Sequence, residues 1–344
     1  MPELFGHMPS GEPVHRVTLE NAALRVQVLS VGAVLQSIEA PGRDGRRANV
    51  ALGLATLEDY VAHSPHFGAV AGRYAGRIAH GRFTLDGVAH QLTRNRGGHS
   101  IHGGAAGFGK RAWTLADHGP AHVELAIGSP AGDEGYPGAV QVRVRYTLDG
   151  AALRIDYSAE TDAPTVLNLT NHSYFNLAGE GAGDILGHRL TIDSDRFLPM
   201  DADSIPTGEI RSVEGTAFDF RTPCPIGARI RTADPQIMHA LGYDHAYLLP
   251  GEGLRRAAML EDPVSGRTLT VSTTEPAVHL YTGNNLTGAL AGPSGRAYRQ
   301  ADGVCLETER PQDSPNQPGF PSTALRPGAP FRSTTVFGFG VSGS

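Results

Sequence analysis

The chain has 344 residues, 40% of them hydrophobic, and a formal net charge of −6 at pH 7. It is long enough to bury a substantial core, and its charge argues against a nucleic-acid partner, because phosphate binding needs a basic face. The two cysteines, Cys224 and Cys305, are too few and too far apart for a disulfide framework or a cysteine-based zinc site.

No apolar run reaches the length of a membrane span. The opening residues, MPELFGHMPSGEP, have neither the basic region nor the apolar region of a secretory signal. We therefore expect a soluble cytoplasmic protein with no membrane partner. The alternative is a periplasmic form from which a signal has been removed.

Short apolar runs separated by turn residues fill the chain and predict β-strands. Residues 14–40 contain several such runs, split by Asn21 and Gly32, and residues 42–47 predict a turn. Residues 56–63 are the best short helix candidate, because a threonine stands at the N-cap and two acidic residues occupy the first turn.

Two later segments have the pattern of β-hairpins, in which alternating strands flank an Asp-Gly pair. They are residues 83–92, whose pair begins at Asp86, and residues 140–157, whose pair begins at Asp149. Further strands are predicted at residues 189–197, 267–272 and 278–281.

Helical periodicity is rare, no repeat of fixed period is visible, and no change of composition marks a linker. Many strands joined by turns predict an all-β protein, either a sandwich or a barrel, and not a βαβ fold. We expect one domain over residues 1–344.

The segment LNLTNHSYFNL, residues 167–177, begins with the alternation of a strand and then places four polar-tipped side chains in a row, from Asn171 to Tyr174. One interpretation is an edge strand or bulge whose asparagine and serine satisfy nearby backbone groups. The other is a strand end that projects a titratable His172 into a cleft. The residues alone leave both open.

With the two residues that follow it, this segment resembles the central histidine motif of the aldose 1-epimerases, which interconvert the α and β anomers of free sugars. The resemblance continues in order along nearly the whole chain. It implies a large, mostly antiparallel β-sandwich with the sugar site in an open groove on one face. It also implies a site role for His172, and Tyr174 would offer the sugar a hydroxyl and an apolar face.

Residues 70–83, VAGRYAGRIAHGRF, carry three arginines, which are either surface residues of strands or a guanidinium fork for sugar hydroxyls or a carboxylate. The segment resembles the family element G-R-x-A-N-R-I, which implies a sugar-binding role for Arg77. The family's asparagine is replaced here by Gly76, and one hydrogen-bonding side chain is thereby lost.

The stretch HSIHGGAAGF, residues 99–108, offers His99 and His102 as candidate metal ligands, although their spacing does not place them on one face of a strand. It resembles the family segment L-H-G-G, which implies instead that His102 binds the sugar. The loop at residues 129–138 is similar to a family loop, and we assign it a structural role.

Two further segments resemble family motifs. In LGYDHAY, residues 241–247, Asp244 is either a turn-former or surface charge, or an acceptor for two sugar hydroxyls, and the resemblance favours the acceptor role. In EPAVHLYTGNNL, residues 275–286, His279 stands where the family commonly has glutamine. Both can hydrogen-bond a hydroxyl, but only histidine titrates near neutral pH.

The segment GVCLETERPQDSPNQPGFPSTALR, residues 303–326, begins as a strand that contains Cys305 and Glu307 at alternate positions. Taken by itself, Glu307 would be an outward-facing strand carboxylate. The family's catalytic glutamate has this L-E-T context, which implies that Glu307 is catalytic. The proline-rich loop that follows predicts a rigid wall of the site.

Anomer exchange needs a proton taken from the C1 hydroxyl and a proton delivered to the ring oxygen. We assign Glu307 as the base and His172 as the acid, with exchanged roles on ring closure and with pKa values near the reference ones. The side chains expected to bind and orient the sugar are Arg77, His102, Tyr174, Asp244 and His279.

This chemistry needs no metal and no cofactor, and the expected partner is a small-molecule monosaccharide. We expect a monomer or a homodimer. Two alternatives stay open: an epimerase for a phosphorylated hexose, which would need a basic cluster, and a non-catalytic sugar-binding module. A glycosidase uses two carboxylates, and the histidine–glutamate pair suits that chemistry less well.

Overall fold

The structure is a computed structural model that describes residues 2–63 and 66–343. Within these ranges there are two short α-helices, α1 (Leu57–His63) and α2 (Pro235–Ala240), and neither is long and apolar enough to cross a membrane. The 3₁₀ turns are Ala79–Gly81, Phe108–Lys110, Asp133–Gly135, Ile226–Ala228 and Ser314–Asn316.

The other elements are β-strands. The first ten are β1 (Glu3–His7), β2 (Pro13–Glu20), β3 (Arg25–Leu29), β4 (Val34–Pro41), β5 (Arg47–Asn49), β6 (Val70–Ala71), β7 (Arg77–Ile78), β8 (Arg82–Leu85), β9 (Val88–Gln91) and β10 (Ser100–Ile101). The next ten are β11 (Thr114–Gly119), β12 (His122–Ser129), β13 (Val140–Asp149), β14 (Ala152–Thr161), β15 (Thr165–Val166), β16 (Thr170–Asn171), β17 (Tyr174–Phe175), β18 (Arg189–Ile192), β19 (Arg196–Phe197) and β20 (Arg211–Ser212). The last ten are β21 (Cys224–Pro225), β22 (Asp244–Leu248), β23 (Arg255–Glu261), β24 (Arg267–Thr273), β25 (Ala277–Tyr281), β26 (Thr287–Ala291), β27 (Ala297–Arg299), β28 (Val304–Glu309), β29 (Ala324–Leu325) and β30 (Phe331–Val341).

Three antiparallel sheets make up the body of the protein. The largest has nine strands in the order β11-β12-β13-β14-β30-β24-β23-β18-β21. The second has six strands in the order β17-β28-β25-β22-β19-β20, and the third is a meander of β1 to β5. The remaining strands form two-stranded pairs.

The nine-stranded sheet packs its apolar face against the other two sheets. Along β13, every second residue of 140–148 is buried and the residues between are exposed or half-buried. Phe175 of β17 packs edge-on against Phe337 of β30, with ring centroids 5.1 Å apart. The Tyr146 hydroxyl of β13 donates to the Ala33 carbonyl beside β4 at 2.6 Å. These contacts confirm the predicted all-β sandwich.

Most of the predicted elements are confirmed. The helix at 56–63 is α1, and the Asp59 amide donates to its N-cap, the Thr56 hydroxyl, at 3.2 Å. The hairpin at 83–92 is β8 and β9, in which Leu85 pairs with Val88. The strands at 14–40, 267–272 and 278–281 are β2 to β4, β24 and β25.

Two predictions need correction. The second hairpin turns one residue later than expected, because Asp149 still pairs with Ala152 and the two-residue loop is Gly150-Ala151. The strand predicted at 189–197 is wrong as one element. It is two strands, β18 and β19, which belong to different sheets because the chain bends between them at Asp193 to Asp195.

Candidate active site

A polar cavity of about 260 Å³ lies where the six-stranded sheet meets the loops that precede β7 and follow β10. The structure brings all the sequence-predicted site residues into its lining. They are Arg77, His102, His172, Tyr174, Asp244, His279 and Glu307. The proline-rich loop after β28 also reaches the cavity, through Gln312, as expected of a site wall.

The register of β25 and β28 places two of these side chains on one face of the sheet. His279 pairs directly with Glu307, and directly opposed residues of paired strands project the same way. The intervening residues face the sandwich core. Leu306 lies in the main apolar cluster, and the Thr308 hydroxyl contacts that of Thr335 on β30 at 2.6 Å. One face of β28 therefore serves packing and the other serves the site.

His172 lies between the short strands β16 and β17, and its backbone is tightly held. Its N–H donates to the Ala69 carbonyl at 2.8 Å, and its carbonyl accepts from the Gly68 N–H at 3.0 Å. Asn171 donates to the Gly68 carbonyl at 2.8 Å, and the Ser173 hydroxyl donates to Asn171 at 2.6 Å. Both interpretations of this segment are thus correct in part, since the neighbours satisfy polar groups and the imidazole lines the cavity.

The His172 imidazole and the Glu307 carboxyl face each other, with Nε2 and Oε2 3.6 Å apart. Only 5% of His172 and 4% of Glu307 are exposed. The Tyr174 ring stacks on the imidazole with centroids 5.0 Å apart, and the Cys305 sulfur lies 3.5 Å from Nδ1. Contacts on several sides therefore fix the ring plane and direct Nε2 toward the carboxyl.

The pKa values of this pair are shifted in opposite directions. Burial, followed by repulsion from His66, lowers the pKa of His172 to about 3. Burial, followed by the charge of Glu309 and then Asp244, raises the pKa of Glu307 well above its ordinary value. The expectation of reference pKa values is therefore wrong for both groups, because a desolvated site penalises each charged form.

Two neighbouring side chains, His279 and Arg77, stabilise the charged form of Asp244. Its Oδ1 is 2.7 Å from His279 Nε2 and its Oδ2 is 3.9 Å from Arg77 Nη2. Burial by itself raises the pKa of Asp244, but the hydrogen bond from His279 and the charge of Arg77 outweigh it and leave the pKa below the ordinary value. An ionised carboxylate in this place is a strong acceptor for hydroxyl groups.

His102 is held as a neutral imidazole. Its Nδ1 accepts a hydrogen bond from the Gly76 N–H at 3.2 Å, which leaves the ring proton on Nε2. Burial, and then the positive charge of His66 and His172 when protonated, lowers its pKa well below the ordinary value. A neutral Nε2–H is a hydrogen-bond donor for a sugar oxygen.

His99 points elsewhere. Its Nδ1 accepts from the His80 N–H at 3.0 Å, and it does not line the cavity. In the part of the chain that the structure describes, no group of three metal-ligating side chains includes His99 or His102. The metal interpretation of that pair therefore has no geometric support.

One group with metal-ligand chemistry does occur within the described residues: His172, Cys305 and Glu307, whose candidate ligand atoms all lie within 4.8 Å of one another. Burial, and then the charge of Glu307, raises the pKa of the Cys305 thiol well above its ordinary value. A thiol binds a metal as the thiolate, and the raised pKa of Cys305 opposes loss of that proton in this site.

Arg73, which shares a segment with Arg77, is structural. Its guanidinium is buried and donates to the carbonyls of Ser129 and Gly138 at 2.8 and 2.7 Å. It therefore ties down the loop at residues 129–138, in agreement with the structural role assigned to that loop.

Other side chains line the cavity that the sequence did not predict as site residues, among them His66, Glu309 and Gln312. Glu309 could have been found, because it lies two residues beyond Glu307 on the same face of β28. His66 follows α1 in a loop without any periodic pattern. Its ring lies 4.6 Å from that of His102 and 5.9 Å from that of His172, between centroids.

Comparison with known proteins agrees with the motif resemblance. A family model described as aldose 1-epimerase matches residues 15–338. The chain is 46% identical to galactose mutarotase of Bos taurus over 343 residues and 39% identical to aldose 1-epimerase of Escherichia coli K12 over 337 residues. The bovine match covers 98% of each of the two chains, and the Escherichia coli match covers 96% of each. The crystal structure of galactose 1-epimerase from Lactobacillus acidophilus superposes with a TM-score of 0.87 at 31% identity, over 99% of this chain and 98% of that one.

Proposed function

Because the chain belongs to the aldose 1-epimerase family, we propose that it interconverts the α and β anomers of free aldoses such as galactose or glucose. His172 and Glu307 form the acid–base pair. The observation that carries the proposal is their geometry: Nε2 and Oε2 are 3.6 Å apart on the wall of a cavity lined mainly by hydrogen-bonding side chains. The names of the bovine and bacterial relatives support the same reaction.

The reaction needs two coupled proton movements. Glu307 takes the proton of the C1 hydroxyl while the bond between C1 and the ring oxygen breaks, and His172 gives a proton to that oxygen. The product is the open-chain aldehyde. Rotation about the C1–C2 bond presents the other face of the carbonyl, and the reverse transfers close the ring as the opposite anomer. No atom or electron is gained or lost by the sugar.

The opposed pKa shifts suit this chemistry. A carboxylate with a raised pKa is a stronger proton acceptor, and an imidazolium with a lowered pKa is a stronger proton donor. Desolvation disfavours both charges and so favours the neutral pair, with the proton on Glu307. Moving that proton to His172 creates the reactive ionic form without uptake of a proton from solvent.

The remaining polar groups would orient the sugar. The ionised Asp244, held by Arg77 and His279, accepts hydrogen bonds from sugar hydroxyls, and the neutral His102 donates one. Tyr174 presents a ring that already stacks on His172, and it limits the positions that the sugar ring can adopt.

A second candidate is the same reaction on a phosphorylated hexose. Two cationic side chains, Arg96 and Lys110, line the cavity and are exposed at its mouth. They supply the positive charge that binding of a sugar phosphate needs. The names of the relatives mention galactose or aldose and no phosphate, which favours the free sugar.

Polarimetry on freshly dissolved α-galactose and α-glucose tests the proposal. The expected result is a rate of approach to anomeric equilibrium that is proportional to protein concentration and far above the spontaneous rate. A preference for a hexose 6-phosphate over the free hexose would favour the second candidate. Sugar binding in calorimetry without any acceleration would identify a binding module and overturn the enzymatic proposal.

A further inference from the structure

The space beside Gly76 is occupied by the side chain of Gln312. Gly76 has a φ of +73°, and a Cβ added there would lie 2.3 Å from Gln312 Cγ and 2.9 Å from Gln312 Cδ. Such approaches are far inside van der Waals contact. A side chain at position 76 and the observed conformation of Gln312 therefore exclude each other. Because Gly76 stands where the family has asparagine, the space is free for the Gln312 side chain.

Gln312 connects two of the proposed sugar-binding residues. It is 4% exposed and lines the cavity. Its Oε1 accepts from the backbone N–H of Arg77 at 3.0 Å and from Arg77 Nη1 at 3.4 Å. Its Nε2 lies 3.3 Å from His279 Nδ1. Since His279 and Arg77 both contact Asp244, the four side chains form a closed ring of polar contacts.

Only one assignment of donors and acceptors satisfies this ring. The ionised Asp244 can only accept, so His279 Nε2 carries the ring proton and donates it. The backbone N–H and the Nη1 of Arg77 both need an acceptor, so the amide oxygen of Gln312 faces Arg77. Its NH₂ group then faces His279 Nδ1 and donates to it.

We infer that Gln312 is a positioning residue of the sugar site, whose amide holds His279 and Arg77 in the orientation in which they and Asp244 receive sugar hydroxyls. The two departures from the family pattern thus belong to one arrangement. Gly76 makes room for Gln312, and His279 presents an acceptor to its amide. This inference rests on the proposed sugar-binding function of the cavity.

The direct test replaces the amide by an apolar group of similar length, Gln312→Met. The matched control is Gln141→Met, an exposed glutamine of β13 that does not line the cavity. Loss of the hydrogen bonds should raise KM for galactose about 3- to 10-fold. The change in kcat should be smaller, because Gln312 does not contact His172 or Glu307. Equal KM values for the two variants, both folded by circular dichroism, would overturn the inference.

A rescue experiment tests the exclusion between positions 76 and 312. Asparagine tolerates the left-handed backbone of Gly76. Gly76→Asn should therefore raise KM chiefly because the new side chain collides with Gln312. Gln312→Ala removes Cγ and Cδ and leaves only Cβ, at 3.2 Å from the added Cβ. The double variant should therefore have a lower KM than Gly76→Asn alone. A double variant that is no better than Gly76→Asn would contradict the inference.

A measurement that does not depend on turnover separates this inference from the proposed function. In ¹⁵N NMR spectra, the His279 signal, identified by its loss in His279→Gln, should show a protonated Nε2 and an unprotonated, hydrogen-bonded Nδ1. Gln312→Met should shift the Nδ1 resonance and Gln141→Met should not. If the wild-type protein did not exchange anomers but Gln312→Met still shifted the Nδ1 resonance, the proposed function would be refuted and the positioning role would stand. An unshifted Nδ1 would refute the positioning role.

Discussion

Replacing Glu307 with glutamine is the most direct test of the acid–base pair. Glu307 is 4% exposed, and its Oε2 faces His172 Nε2 at 3.6 Å. Glutamine keeps the size and the hydrogen-bonding reach of the side chain, so packing should change little. What it removes is the proton acceptor. A general base contributes about 10²- to 10⁴-fold, and kcat should therefore fall by at least ~10²-fold with a smaller change in KM.

The same substitution should stabilise the fold at neutral pH. The pKa of Glu307 is raised in the folded state, so the folded protein binds more protons than the unfolded chain between the two pKa values. The free energy of unfolding then decreases as the pH rises through that window, by about 1.4 kcal/mol for each tenfold difference in proton affinity. Glutamine does not titrate and avoids this loss. The gain should shrink as the pH approaches about 4, where the unfolded carboxyl is protonated as well.

Two measurements check this prediction: polarimetric kcat and KM for galactose, and urea unfolding at pH 7 and pH 4. The control is Glu160→Gln, which changes an exposed strand glutamate of β14. It should leave the kinetic constants and the free energy of unfolding unchanged. If Glu307→Gln kept more than about a tenth of the wild-type kcat, Glu307 would not be the base. His172→Asn should lose activity likewise, and the double variant should lose less than the product of the two single losses.

Three further outcomes are expected. The pH profile of kcat/KM should extend to lower pH than the reference pKa values of about 4.3 and 6.5 would allow, because the pKa of His172 is lowered to about 3 and the pKa of Glu307 is raised. A narrow bell between those reference values would show that neither pKa is shifted. Arg77→Ala and Asp244→Ala should each raise KM about 10-fold or more, since each removes charge-assisted hydrogen bonds to the sugar, and unchanged KM in folded protein would exclude both from the site. Activity should survive dialysis against a chelator; loss of activity that zinc alone restores would revive a metal role for the site histidines.

The sequence by itself determined the fold class and predicted the main residues that line the cavity. The alternation of apolar and polar residues at 140–148 in β13 could be recognised in the sequence, because one face of that strand meets the core and the other is exposed or half-buried. The resemblance of short motifs to the aldose 1-epimerases then placed Arg77, His172 and Glu307 together without any distance information. Their catalytic and binding roles stay predictions, as do the single domain over residues 1–344 and the choice between monomer and homodimer.

Tertiary structure decided which side of a strand forms the site and which groups from distant loops complete it. Alternation in β28 separates two faces, but all six of its residues are buried, so the pattern cannot tell a solvent-facing carboxylate from one that lines a cavity. His66 and Gln312 lie in loops, where no periodic pattern marks the direction of a side chain. The pKa shifts of His172 and Glu307 were equally invisible, because desolvation depends on everything that packs around a group and not on its neighbours in sequence.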